Sequence, residues 1–378
     1  MAIRLTGFMP NQGRASHAAG ARPNRRSNGL GSQKISADVA FLPEIGLDAF
    51  AMADAEEDES LRGSYRDIVT HKLMLQDIVR TSAYADAIAA IVKPGARVID
   101  FGTGTGALAI FAARAGAARV DAIERTCIVE HAKAIAQRSG HPEILFHRAD
   151  HASFQGEGLA DVIVSEWMGH FLFFESMLEP LIQVRDRWLK PEGQMIPARM
   201  ALQAALVIDE ELYEDAAFLE QSPYGIDFGP IADLPLRQSR IIDIEDHQVL
   251  SPYIDLGVLD MRRIKRTPES LTGTCVVPRK VTCFGVVGWF DAHLTDTISI
   301  ATGPQHPHTH WRPIYFPLPE PFECRPARPV VITIRPPSSV EVRDPAWAWS
   351  IEDGAVRSAV DEKDTFERCR CRCGDRGR

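Results

Sequence analysis

The chain has 378 residues, 45% hydrophobic and 25% charged, with a formal net charge of -9. That length supplies material for more than one core, and the acidic balance excludes a general nucleic-acid binder while leaving a cationic or neutral acceptor open. Every apolar run falls short of the roughly 20 residues a bilayer crossing needs, and the opening MAIRLTGFMPNQGR lacks the apolar centre of a secretory signal. No membrane partner and a cytoplasmic location are therefore expected.

Residues 1–36 carry Arg4, Arg14, Arg22, Arg25, Arg26 and Lys34 without a single acid. With the acidic DAEEDES that follows at 54–60, residues 1–60 read as a disordered tail, although an organellar transit peptide shares that composition. From 65 to 92 apolar residues recur at helical spacing. The stretch KPGARVIDFGTGTG then reads as a turn, a strand over Arg97 to Phe101 and a glycine-rich loop. ALAIFAARAG is a helix, and strand alternates with helix through RVDAIE, ILFHRAD, DVIVSEW and MLEPLIQVRDRWL. This grammar predicts an α/β, Rossmann-like doubly wound parallel sheet over 61–197.

Past Pro197 the runs turn short and β-rich, as in ALQAALVID, RKVTCFGVVGWFDAHL, WRPIYFPL and PVVITIR, separated by Pro and Gly. They predict an antiparallel β-barrel or sandwich over 198–353. An insertion at about 211–240 is too long for a hairpin loop and reads as a docking arm. Residues 354–378 read as a disordered tail. Its Cys369, Cys371 and Cys373 alternate without the CxxC pairing of a metal site, and the chain's seven cysteines suit free thiols in a reducing compartment.

Strand VIDF leads directly into Gly102, Thr103, Gly104 and Gly106, where glycines let backbone approach a ligand and a helix start offers free N–H groups. Dinucleotide sites favour GxGxxG. Here Asp100 precedes GxGxG, and Glu124 ends the next strand, where an acid accepts both hydroxyls of a ribose. That set suits S-adenosylmethionine, with Asp150 at the end of ILFHRAD placed for the adenine amino group. Further on, SEWMGHFLFFESML puts Glu166 at the carboxyl edge of a buried strand and returns Glu175 toward it. Two carboxylates facing one pocket meet a cation or a hydrogen-bond donor, so the expected partner is the acceptor substrate. The histidines of HPHTH, His306, His308 and His310, would share one strand face, but Pro304 and Pro307 favour a loop and no metal is expected.

SEWMGHFLFFESM closely resembles the double-glutamate loop of the protein arginine methyltransferases, and the resemblance extends to SYRDIVTHKLMLQDIVRT, VIDFGTGTG and THW, covering about 61–353. It implies a class I methyltransferase domain, a β-barrel with a helical dimerisation arm, and a homodimer or higher homo-oligomer. It also implies that Arg80 binds the donor's carboxylate, with Met74 and Met177 beside the donor, and that Asp77 pairs with His310. Glu166 and Glu175, with Tyr65, His310 and Asp77, make up the implied catalytic set. Met74, Asp77 and Arg80 are spaced by three, close enough on a helix to face one site.

The sequence departs from that pattern at Leu61 and Arg62, where the family has an aromatic pair, and at His170 and Phe174, where it has tyrosines. These departures also resemble bacterial indole C3-methyltransferases built on the same scaffold. They favour a small indole, methylated at C3 as in alkaloid pathways, over protein arginine as the acceptor.

Overall fold

The computed structural model describes residues 68–337 and 346–369, all within one compact unit. The helical spacing after 65 resolves into two helices, α1 (Ile68–Gln76) and α2 (Ile78–Ile91). Asp77 separates them: its backbone is extended, and its Oδ1 accepts the Arg80 amide at 2.9 Å as the N-cap of α2.

The sheet of the first half contains β1 (Arg97–Phe101), β2 (Arg119–Glu124), β3 (Leu145–Arg148), β4 (Ala160–Val164) and β5 (Leu189–Ile196). The strands are all parallel and run in the order β3-β2-β1-β4-β5. Helices α3 (Ala107–Arg114), α4 (Ile128–Arg138) and α5 (Leu178–Trp188) lie between them in sequence. The central strands are buried on both faces, which is why Val98, Ile99, Val162, Ile163 and Val164 form near-continuous apolar runs. The chain leaves β1 toward β2 and β3, then crosses back to β4 on the other side. The carboxyl ends of β1 and β4 therefore flank the topological switch point, the place where open α/β sheets bind ligands.

From Arg199 the sheets are antiparallel. One holds β6 (Arg199–Val207), β7 (Arg240–Ile241), β8 (Val249–Asp260), β10 (Val281–His293), β11 (Ser299–Ala301) and β12 (Ile314–Cys324). It is ordered β7-β12-β10-β6-β8, with β11 against β10. The other runs β15-β14-β13-β9, from β9 (Leu271–Val276), β13 (Pro329–Arg335), β14 (Ala348–Glu352) and β15 (Arg357–Asp361). The expected barrel is thus two sheets whose assigned ladders do not join among the described residues. They share one core, in which Phe316 meets Trp349 at 5.4 Å and Trp347 at 5.5 Å between ring centroids. At Gly273 of β9 a Cβ would stand 2.5 Å from the Ile254 side chain and 2.6 Å from the Asp255 carbonyl, so only glycine lets β9 lie this close to β8.

The insertion between β6 and β7 holds α6 (Glu210–Ala216) and three short 3-10 turns. Leu236 and Ala216 are buried beneath it, and Tyr213 packs on Phe284 at 5.6 Å. The disordered tail expected from 354 is not what the structure has over 357–369. That segment forms β15 and α7 (Glu362–Cys369), because Glu362 is only 2% exposed and its two oxygens accept the amides of Ser239 and Trp347. Cys371 and Cys373 lie outside the described residues, as does the expected tail over 1–60.

Candidate active site

The glycine turn follows β1 without a break. Gly102, Gly104 and Gly106 take φ of 75°, 53° and 83°, values open to glycine and strained for other residues. The amides of Gly102 and Thr103 both donate to the Ile123 carbonyl, at 2.9 and 3.0 Å, which ties the turn to β2. Beneath it Asp100 is fully buried, its Oδ2 accepting the Thr103 hydroxyl at 2.5 Å. Burial pushes its carboxyl up to about 7, against the Thr103 bond, which favours the charged form. At the end of β2 the Glu124 carboxylate accepts the amides of Gly104 at 3.1 Å and Thr126 at 2.8 Å, so its position relative to the turn is fixed.

Helix α2 brings Arg80 to the same place. Its Nη2 pairs with Glu166 Oε2 at 2.8 Å, both side chains under 10% exposed, and its Nη1 donates to the Met74 carbonyl at 3.3 Å. The Arg80 Nε is buried and has no partner. A buried cationic donor left open beside a glycine cradle is what the carboxylate of a zwitterionic nucleoside ligand would satisfy. S-adenosylmethionine therefore fits this residue set. Met177 closes one side, its Cε 3.8 Å from where a Gly102 Cβ would stand.

Sequence reasoning missed His71. It is 4% exposed, and its ring lies 2.9 Å from the position of a Gly104 Cβ, so it walls the turn. No motif announces it; only the packing of α1 on the turn does. Asp150 departs from the expectation in the other direction. It sits exposed just past β3 and folds back on its own turn, with Oδ1 accepting the Ala152 and Ser153 amides and the Ser153 hydroxyl.

On the acceptor side Glu166 emerges just past β4, its Oε1 also accepting the Met168 amide at 3.2 Å. Glu175 closes a 3-10 turn, Phe173–Glu175, and its Cγ lies 2.9 Å from where a Gly169 Cβ would stand. The two acids thus belong to one folded loop. Among the bonds that stitch this wall to the antiparallel sheets, Trp311 Nε1 donates to the Met168 carbonyl at 2.7 Å, and Asp77 Oδ2 receives the His310 amide at 2.8 Å and its Nδ1 at 2.9 Å. Burial works against the Asp77 charge, but the Arg80 and His310 bonds hold its carboxyl below the usual range. His306, His308 and His310 lie in a loop and not along a strand. Tyr65, Leu61 and Arg62 fall outside the described residues.

Residues 198–347 match the family model of the arginine methyltransferase oligomerization subdomain, and 80–213 match that of the ribosomal protein L11 methyltransferase (PrmA). Protein arginine N-methyltransferase 1 of Chlamydomonas reinhardtii is 31% identical over 74% of this chain and 84% of its own length. The chain belongs to the protein arginine methyltransferase family.

It is accordingly an S-adenosylmethionine-dependent methyltransferase. Protein arginine N-methyltransferase 1.1 of Arabidopsis thaliana is 29% identical over 81% of this chain and 82% of its own. Among solved structures, the Trypanosoma brucei PRMT1 enzyme-prozyme heterotetrameric complex with AdoHcy shares the fold. Its TM-score is 0.73, at 24% identity over 79% of this chain and 99% of that one. These relatives overturn the small indole as the expected acceptor, since by name they methylate protein arginine. The indole expectation leaned on four departures, of which Leu61 and Arg62 lie outside the described residues. The remaining two, His170 and Phe174, leave both acids of this arginine methyltransferase loop in place. Among the described residues no helix is long and apolar enough to cross a membrane.

Proposed function

We propose that the chain is a protein arginine N-methyltransferase. The observation that carries this reading is the acid loop, in which Glu166 already holds a guanidinium, that of Arg80, at 2.8 Å. A planar guanidinium presents paired N–H donors that match two carboxylates, so an acceptor arginine would be oriented by Glu166 and Glu175 together. Bound S-adenosylmethionine supplies a methyl group on sulfur with its leaving group already attached.

The chain's own residues then have simple duties. Arg80 Nε takes the donor's carboxylate, and Glu124 accepts the ribose hydroxyls. Asp150, whose Oδ1 is committed to its turn, offers Oδ2 to the adenine amino group. Met74, Met177 and the glycine turn close around the donor, with Thr103 and Asp100 beneath. Glu166 and Glu175 hold the acceptor nitrogen in line and localise its positive charge on the other nitrogens, and one of them receives the proton the nitrogen loses. Asp77 keeps His310 beside this wall, and Tyr65 is assigned to the same acceptor side. The arm mediates a homo-oligomer, supported by the oligomerization-subdomain match and by the exposure of Phe218, Tyr224, Ile226 and Ile231.

The test is direct. With S-adenosylmethionine and an arginine-rich peptide, mass spectrometry should show a 14 Da gain on arginine, a mass that follows from replacing one hydrogen by methyl. Peptide recovered unmodified under conditions where the donor binds would sink the reading.

A further inference from the structure

His170 departs from the family's acid loop and takes no part in the chemistry above. It stands in a tight hairpin whose ends, Gly169 and Leu172, exchange backbone bonds at 3.3 and 3.0 Å. Phe171 and Leu172 turn the chain with φ of 49° and 65°. Both acids hang from this hairpin, Glu166 three residues upstream and Glu175 through its packing on Gly169. The His170 ring meets Phe174 edge to face, with centroids 6.1 Å apart at 82°. Its Nδ1 reaches across to the segment after Trp311, lying 3.1 Å from the Arg312 amide nitrogen and 3.2 Å from the Arg312 carbonyl oxygen.

One ring nitrogen cannot serve both of those groups at once. Without a proton Nδ1 accepts the Arg312 N–H; with one it must donate to the carbonyl, and the N–H loses its acceptor. The bond from the Arg312 amide requires a bare Nδ1, so a neutral ring that accepts it carries its hydrogen on Nε2. The charged groups facing the ring are His310 and Arg312. Behind them stand Asp77, which holds His310, and Asp243, which meets Arg312 at 3.4 Å. Burial first, then those two neighbours, hold the imidazole below its ordinary value despite the Arg312 carbonyl.

We propose that His170 is a positioning residue: by accepting the Arg312 amide it sets the double-glutamate hairpin against the His310 loop, and its protonation exchanges that amide for the Arg312 carbonyl, leaves the amide unpaired and adds a positive charge that repels a cationic acceptor. The second half rests on the arginine reading; the first does not. Besides the Trp311 bond to Met168, the ring also ties these loops, and it titrates. Losing it shifts the acids against the acceptor while the donor site, on the far side of Glu166, keeps its bonds.

Steady-state kinetics of the full chain on an arginine-rich peptide from pH 5 to 9 test this. Wild-type kcat/KM should fall about tenfold per pH unit below the His170 midpoint, which lies under the roughly 6.5 of an unperturbed histidine. His170→Asn offers an amide oxygen and nitrogen to the two Arg312 groups without titrating. It should keep the alkaline rate and lose the acid limb. His170→Phe should lose at least about tenfold at every pH, with donor affinity by calorimetry unchanged in both variants. An acid limb that persists unaltered in His170→Asn overturns the proposal. Imidazole nitrogen NMR gives a reading independent of turnover: Nδ1 bare above neutrality is expected, and a hydrogen on Nδ1 there overturns it. If no arginine peptide is methylated at any pH, the proposed function falls while the NMR result still decides the Arg312 contact.

Discussion

At the scale of single residues the site is a set of buried charges that answer one another. Glu166 is bonded to Arg80 and, on the proposed function, also faces the acceptor, so replacing it should separate binding from chemistry. Glu166→Gln keeps an oxygen for Arg80 but no longer takes a proton or balances a second guanidinium. Turnover should fall by about two to four orders of magnitude, with donor affinity changing far less. Calorimetry and single-turnover rates check both halves, and a comparable loss of donor affinity would move Glu166 to the donor side. Asp100 makes a prediction about pH. Its folded carboxyl sits at about 7, against about 3.9 in an unfolded chain. Between those values the folded protein binds the proton more tightly, so stability falls as pH rises through that window, and the loss is complete above it. Asp100→Asn removes this titration. Its melting temperature should gain on wild type as pH goes from 5 to 8.5, and parallel curves would show that Asp100 is charged without penalty.

At the scale of elements, Asp77 shows how much one side chain decides. Helical spacing alone runs through it, yet the carboxylate breaks the run into α1 and α2, caps the second helix and bonds to His310. Asp77→Ala loses the cap, about 0.5–2 kcal/mol, together with the link to the His310 loop. Because the folded carboxyl is held below its unfolded value, that stability is present at neutral pH and disappears as pH falls through the folded value. Wild type and Asp77→Ala should therefore differ in thermal melting at pH 7, with the difference shrinking as pH falls below the usual carboxylate range. The same element shows where sequence is legible. β1, β4 and the glycine turn are plain because burial on both faces demands unbroken apolar runs and the turn demands glycine. His71 was not plain, since only the packing of α1 brings it to Gly104. The Arg80 to Glu166 pair joins residues 86 apart, and no local pattern carries that. The charges of β15 and α7 make them look like a tail in sequence, because nothing local shows that Glu362 is buried and doubly bonded.

At the scale of the whole molecule, the acceptor wall is assembled from three places: α2, the loop after β4 and the loop before β12. Each alone is ordinary, and their meeting depends on the antiparallel sheets holding their station against the parallel one. Arg185 of α5 helps, donating from a nearly buried guanidinium to the Met261 carbonyl at 2.8 Å, and Phe171 sits where a Cβ on Gly288 would strike its ring at 2.8 Å. The arm also exposes large apolar side chains. Tyr224 is 93% exposed and Ile226 53%. Exposed apolar residues standing singly are ordinary, whereas several grouped on one segment mark a contact surface. Near the start of the described residues, α1 and the start of α2 expose Leu73 at 57% and Ile78 at 75%. Replacing both Tyr224 and Ile226 with Glu should leave the fold intact, because neither packs in the core, while placing charge where a second copy would dry the surface. Sedimentation velocity should show wild type as an oligomer and the double variant as a single smaller species, with the same far-ultraviolet dichroism. If both sediment alike as monomers, the arm has another use in this chain; if both sediment as the same oligomer, the contact lies elsewhere.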